Sequence, residues 1–350
     1  MTAAERSILG LAKQTGKGTP NTTDAEFKYF LFRAGGMAPN NMFLPLDQEI
    51  GGGAMLRDVV KVGVTSGGTM DLIPRPTILG DLLLGAIGNV AEPSDNTDGS
   101  FSHVFTLPTD EFDAPYWTVR SAPGGIWAEQ LQDCRVAGLV LSFTGARFVE
   151  GAVTFLGGLP TPNIDTTGWV TAWAVPTYLD KGPQFLSPVS TIELPSGTSA
   201  KVLSGAIAMG LQIPLDEQFI VGSYSPDDFA INQRSVSITL NLKLDDNVLY
   251  EKIMYDPAGA ASAWVASVYK EGDMKLDLIS PENAGTSTAG VTPYSLNFDF
   301  DVTDDNIIWS AAPIALRAGR QVVMQVTGTV INSTSEPITA TLTNTQDSKY

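Results

Sequence analysis

A chain of 350 residues, 43% apolar and 17% charged, is long enough for two or three domains and too apolar for a disordered protein. Twenty-one basic residues against 38 acidic ones give a formal net charge of −17, which excludes the phosphate neutralisation that general nucleic-acid binding requires. The single cysteine, Cys134, excludes an intrachain disulfide, the single histidine, His103, excludes a multi-histidine metal centre, and the most apolar run, Ile78–Ile87, is too short for a membrane helix and contains Asp81.

Met1–Asp24 is polar and carries Gly16, Gly18 and Pro20, a composition that predicts an N-terminal arm more than a core element. It has no apolar stretch before a small-residue cleavage site, so no signal peptide is expected. Next comes Gly35–Gly53, with two prolines and three closing glycines, Gly51, Gly52 and Gly53. Asn40, Met42, Phe43, Leu44 and Leu46 lie within it. A long apolar loop is predicted to bury itself on a neighbouring subunit or to fold back on its own barrel.

From there the chain presents one order of elements twice. The strand-like Gly67–Pro74 runs into a helix over Thr77–Gly88, and the strand Ser235–Leu244 runs into a helix over Asp246–Tyr255, which Asp246 would cap and Pro257 and Gly259 would stop. Each helix is followed by two candidate strands, Ser102–Leu107 and Pro115–Ser121 in the first half, Trp264–Tyr269 and Met274–Ser280 in the second. Each half then closes on an alternating pair, Cys134–Thr144 with Phe148–Gly157, and Tyr294–Thr303 with Gln321–Ile331. One helix per unit suits packing across the open end of a small barrel. The segment between the halves, Leu159–Gly197, is rich in proline, threonine and aromatics; the tail after Asn332 reads as an edge strand or as disorder.

Alternation is sharpest where Val236, Ile238, Leu240, Leu242 and Leu244 face one way and Ser235, Ser237, Thr239, Asn241 and Lys243 the other. Leu296, Phe298 and Phe300 oppose Asn297, Asp299 and Asp301 in the same manner. Such period-two patterns predict antiparallel sheets with one buried face. The fold class is therefore mainly β with minor α: two tandem antiparallel sandwich or barrel domains, each with a flanking helix. The expected boundaries are an arm over 1–24, a first domain over 25–160 with the loop 35–53, a linker over 161–198, a second domain over 199–332 and a tail over 333–350.

Chemical motifs fail on spacing. Gly10–Gly18 has five residues between Gly10 and Gly16 where a phosphate loop has four, and Gly18 stands where Ser or Thr is required. In Ser94–Gly99 the calcium-loop pattern breaks at Phe105, where a bidentate Glu is needed. His103 lies in an alternating strand and reads as a hydrogen-bonded structural residue; Cys134 reads as structural too. Asp227–Asp228, Asp245–Asp246 and Asp304–Asp305 flank strands, where Asp is an ordinary turn residue. No catalytic residue, cofactor or metal site is predicted.

Three phrases carry a family resemblance. SILGLAKQTGKGTPNT (7–22), DCRVAGLVLSFTGARFVEGAVTFLGGLP (133–160) and LQIPLDEQFIVGSYSPDDFAINQRSVSITLNLKLDDNVLYEKI (211–253) resemble, in order, segments of the tail tube (major tail) proteins of long-tailed, non-contractile bacteriophages. The resemblance implies six-fold rings whose inner sheets join into one barrel and whose stacking makes a hollow tube for DNA. A chain with two such units would form a trimeric, pseudo-hexameric ring. It implies self-association and contact with tape measure, tail terminator and distal tail proteins, no membrane, and a place in the virion tail after assembly in the cytoplasm of the infected bacterium. On that reading Ser237, Thr239, Asn241, Asn297, Asp299 and Asp301 line an acidic, hydroxyl-rich lumen. Asn40, Met42, Phe43, Leu44, Leu46, Gly51, Gly52 and Gly53, with the N-terminal arm, stack the rings. The competing expectation is a cell-surface or carbohydrate-binding β-sandwich module with Trp117, Trp127, Trp169, Trp173, Trp264 or Trp309 as a sugar platform.

Overall fold

The computed structural model describes residues 7–47, 55, 58–110, 112–165, 168–169, 182–194, 201–244, 248–255, 274–287, 290–300, 306–316, 322–332 and 336–350. Fifteen strands of six residues or more and two α-helices occur among them. The first half contributes β1 (Ile8–Lys13), β2 (Ala38–Pro45), β3 (Val59–Leu72), α1 (Pro76–Ile87), β4 (Phe101–Thr106), β5 (Trp117–Ala122), β6 (Glu129–Thr144) and β7 (Glu150–Gly157). The second half contributes β8 (Leu186–Glu193), β9 (Lys201–Gln212), β10 (Gln233–Lys243), α2 (Val248–Met254), β11 (Met274–Ser287), β12 (Gly290–Phe300), β13 (Ile307–Ala315), β14 (Val323–Val330) and β15 (Thr339–Asn344).

Every pairing between these strands is antiparallel. One sheet runs β2-β3-β7-β6-β9-β10-β14-β13. Within this sheet the order is one pattern used twice: of the four strands that each half contributes, the first, the second, the fourth and then the third in chain order. The strand order of this sheet thus repeats across the halves, and β6 pairs with β9 where the two runs meet, from Gly138↔Gly210 to Thr144↔Ser204. The second sheet runs β8-β11-β12-β15-β4 and mixes the halves, because β15 lies between β12 and β4. The start of β6 bends away at a register shift and pairs with β5, which pairs with β1.

Alternation predicts the buried faces well. Leu139, Leu141, Phe143, Val149, Val153, Phe155, Ile238, Leu240, Leu242, Leu296, Phe298 and Phe300 are all buried, in one cluster that spans both halves. Three expectations need correction. The residues predicted as an N-terminal arm contain β1, whose Ile8–Ala12 are buried between neighbouring strands. The tail contains β15, a central strand with Leu342 at 0% exposure, and not an edge. The segment between the halves, which has room for strands as well as a linker, does hold a strand, β8, paired with β11. The second closing pair is β13 with β14; β12 belongs to the other sheet, so Tyr294–Thr303 and Gln321–Ile331 are not partners. The cause is an offset by one strand, because β11 follows α2 in the place that β4 holds after α1. Trp264–Tyr269, Asp246, Pro257 and Gly259 lie outside the described residues.

Helix α1 also sits elsewhere than expected. It lies between the sheets, touching β6 on one side and β4 and β15 on the other, and all its residues except Thr77 are buried. A helix that is apolar all round belongs in a core. Its glycines allow the close approach: a Cβ at Gly80 would overlap the ring of Tyr350, and one at Gly85 the side chain of Val136. Pro76 starts it, and Gly88, at φ 113°, ends it in the left-handed conformation open to glycine. Arg234, on β10, donates from Nη1 to the carbonyls of Ala86 at 3.1 Å and Ile87 at 2.9 Å, so a cation from the second half caps a helix of the first. Replacing Arg234 by Met, which keeps much of the stem, is expected to cost about 1–3 kcal/mol, read as a lower denaturation midpoint.

Buried polar groups cluster where the C-terminal residues dock. Lys28 Nζ lies 2.7 Å from Asp81 Oδ2 and 4.6 Å from the centre of the Tyr350 ring. His103 Nε2 faces two acceptors, Asn344 Oδ1 at 3.2 Å and the Gln346 carbonyl at 3.0 Å, so it carries the proton. The structural reading of His103 holds. Burial lowers its pKa below the usual 6.5 despite those acceptors. The unfolded chain thus protonates first as pH falls, and stability drops below about pH 6.5. Exchange of His103 for Asn is expected to flatten that limb of the stability–pH curve.

Candidate assembly surfaces

The two sheets pack their apolar faces together, which leaves the other face of the eight-stranded sheet open. Register places its side chains in rows. Asp71, Ala152, Val140, Ala208, Ser237, Thr329 and Ile308 stand side by side. Below them run Glu150, Ser142, Ala206, Thr239, Thr327 and Ser310, then Thr144, Ser204, Asn241 and Gln325. The surface is built of hydroxyls and small residues, cross-linked by Asn241 Nδ2 to Ser204 Oγ at 2.9 Å and by Thr69 to Thr154 at 2.8 Å. None of these rows holds Lys or Arg. Lys201 and Lys243 stand opposite each other where β9 starts and β10 ends, and Glu150 of the second row meets Arg33 at 2.5 Å.

Ser237, Thr239 and Asn241 belong to this face. Asn297 and Asp299 do not: they project from β12, whose neighbours are β11 and β15, and Asp299 lies 3.3 Å from Lys275. The two sets therefore cannot share one surface as the sequence suggested, and Asp301 lies outside the described residues. The open face owes its character to hydroxyls more than to carboxylates.

Both edges of the sheet are unpaired among the described residues. At one edge β13 pairs only with β14; at the other β2 pairs only with β3. Asn40, Met42, Phe43 and Leu44 lie on β2, which is exposed along its whole length, with Leu46 just beyond. The predicted loop is thus a β-hairpin, in which β2 pairs with the first part of β3 from Ala38↔Gly67 to Pro45↔Val59. Phe43 is 60% exposed, Leu44 61% and Met55 84%. Val59, Val60 and Val62 are exposed too. Gly51, Gly52 and Gly53 lie outside the described residues. The corresponding connection of the second half, 213–232, is at the same end of the sheet but tied down. Tyr116 donates to Asp228 Oδ1 at 2.5 Å and accepts from Arg135 Nη2 at 2.6 Å, and the Val64 amide donates to the Tyr224 carbonyl at 2.7 Å. Burial, then the bond to the Asp228 carboxylate, pushes Tyr116 up to about 12, so it remains a donor.

The chain matches the family model described as phage tail tube protein over residues 4–302. It belongs to that family. No curated protein matches the chain. This tail tube protein is thus a structural component of a phage tail, with a mostly β, antiparallel fold. No helix among its described residues is long and apolar enough to cross a membrane. The rejected chemical motifs have structural positions. Asp98 of Ser94–Gly99 accepts from the Ser100 amide at 2.9 Å and from Thr292 Oγ1 at 2.5 Å, joining the halves. Cys134 is buried, and burial pushes its thiol well above the ordinary range. Trp117 and Trp309, two of the supposed sugar platform, are buried at 1% and 3% exposure. What sequence reasoning missed is β13 as an edge. Its signal was the apolar run at Ile307–Trp309, which breaks strict alternation.

Proposed function

We propose that three copies of this tail tube protein close into a pseudo-hexameric ring, and that stacked rings form the hollow tube through which phage DNA leaves the capsid. The observation that carries this reading is the junction of the repeats. Of the strands in this sheet, the third of the first half, β6, pairs antiparallel with the first of the second half, β9. The third of the second half, β13, and the first of the first half, β2, form the edges among the described residues. Pairing β13 of one copy with β2 of the next repeats the internal junction in the same relative direction. A heterologous contact of this kind closes a ring when its rotation divides the circle, and it removes both edges of the eight-stranded sheet.

In such a ring the open face of the eight-stranded sheet lines the lumen, with Ser237, Thr239 and Asn241 on it. Hydroxyl and small side chains with no Lys or Arg in the central rows offer phosphates no counter-charge to release, so DNA slides without being held. The role is structural and non-enzymatic. Tape measure, terminator and distal tail proteins are the partners at the ends of the tube.

Lysine in place of Thr239 and Thr327, paired neighbours on that face, tests the lumen directly. Tubes are expected to assemble, to retain double-stranded DNA in a salt-dependent manner, and to slow ejection. Normal ejection through fully substituted tubes would remove this face from the lumen.

A further inference from the structure

We propose that the cavity formed by Arg33, Ile73, Arg147, Phe148, Leu186 and Pro188 is the socket for the β2–β3 hairpin of a copy in the next ring. The inference rests on the tube reading and assigns the receiving side of its stacking contact. The concavity is open to solvent and has a volume of about 550 Å³, within the size range of clefts that hold small ligands. Its walls come from elements that meet at one end of the sheet. Phe148 bridges to Leu186, the Ser187 amide donates to the Arg147 carbonyl at 3.0 Å, and the Arg33 amide donates to the Asp71 carbonyl at 2.6 Å.

That end is opposite the hairpin tip. β3 starts beside the tip at Val59 and finishes beside the cavity at Leu72, a run of 14 residues or roughly 45 Å. Hairpin and cavity on opposite ends make a heterologous contact that does not close, so each ring presents sockets to the hairpins of the next and the stack grows without limit. A hairpin meeting its own counterpart at the same end would stop at a pair of rings.

Chemistry matches as well. Phe43, Leu44, Leu46 and Met55 are large apolar groups left in water, and the cavity offers Ile73, Phe148, Leu186 and Pro188, with Phe148 47% exposed. The described residues beside the exposed apolar groups include Asp47 and Asp58, whereas the cavity carries Arg147 beside the Arg33–Glu150 ion pair. On a chain of net charge −17, Asp47 and Asp58 meet repulsion over most of the surface, and Arg147 gives this concavity the opposite sign. The second unit's equivalent connection is tied down, so the contact is three hairpins into three sockets per ring interface.

The test uses cysteine pairs in the full chain, since the native Cys134 is buried and will not react. Leu46→Cys combined with Phe148→Cys, treated in assembled tubes with a short bismaleimide, is expected to give a ladder of covalent multimers. Leu46→Cys with Asn332→Cys, at the hairpin's own end, or with Thr341→Cys, on the outer sheet, is expected to give none. Arg147→Glu is expected to lower tube yield about tenfold while leaving the melting temperature unchanged. Normal tubes that cross-link position 46 to 332, or to neither site, with Arg147→Glu tubes of full yield, would overturn the socket alone. If the parent chain makes no tubes under any condition, the tube reading falls and the socket with it.

Discussion

Serine at Phe43, Leu44 and Leu46 together is expected to abolish tubes while the chain stays folded. All three side chains are exposed, at 60%, 61% and 47%, so replacing them removes no core contact and the melting temperature should hold within a degree or two. In a stacked assembly each would be buried, and burying a large apolar side chain contributes about 1.5–3 kcal/mol. Three per hairpin and three hairpins per ring make the loss large at every interface, so polymerisation fails even if ring closure survives. Sedimentation should show discrete rings in place of a tube pellet. Tubes of unchanged length from the triple variant would mean that the hairpin is not what holds rings together. A lower melting temperature would mean that it folds back on its own subunit.

The second large effect is internal. Leu342 sits on β15 between β12 of the second unit and β4 of the first, at 0% exposure. Truncation to Ala is expected to cost about 2–5 kcal/mol through lost contacts and the cavity left behind. Because sheet and core are shared between the halves, the whole chain should melt in one cooperative step at a lower temperature. Two independent domains would behave differently, with one of two transitions shifting and the other staying fixed. Calorimetry of Leu342→Ala distinguishes these outcomes.

The duplication was legible because a sheet with one buried face imposes period two, and a helix buried all round imposes an apolar run; both survive in sequence at Ile238–Leu242 and Ile78–Ile87. The pairing partners were not legible. Tyr294–Phe300 and Val323–Val330 alternate equally well, and alternation says which face a residue takes but not which strand lies beside it. β1 is hidden in the sequence because Gly16, Gly18 and Pro20 and the polar residues around them give an arm-like composition to a segment that holds six strand residues, five of them buried. Gly10 is itself part of that strand, where a Cβ would overlap the ring of Tyr29.

For the assembly surfaces the same limits apply. Ser237, Thr239 and Asn241 could be picked out as one polar face, and Met42–Leu46 as apolar residues without a home. Asn297 and Asp299 were indistinguishable from them by pattern, since both sheets of a sandwich alternate and only the fold says which outer face is which. The edges β2 and β13 and the cavity beside Phe148 depend on strand order, which joins residues far apart in the chain.

The most direct measurement is electron cryo-microscopy of the purified chain under conditions that favour polymerisation. Hollow tubes with three chains per ring and β13 of each chain paired with β2 of the next are the predicted result. Tubes with six chains per ring, or rings joined through the outer sheet with β2 and β13 left unpaired, would contradict it.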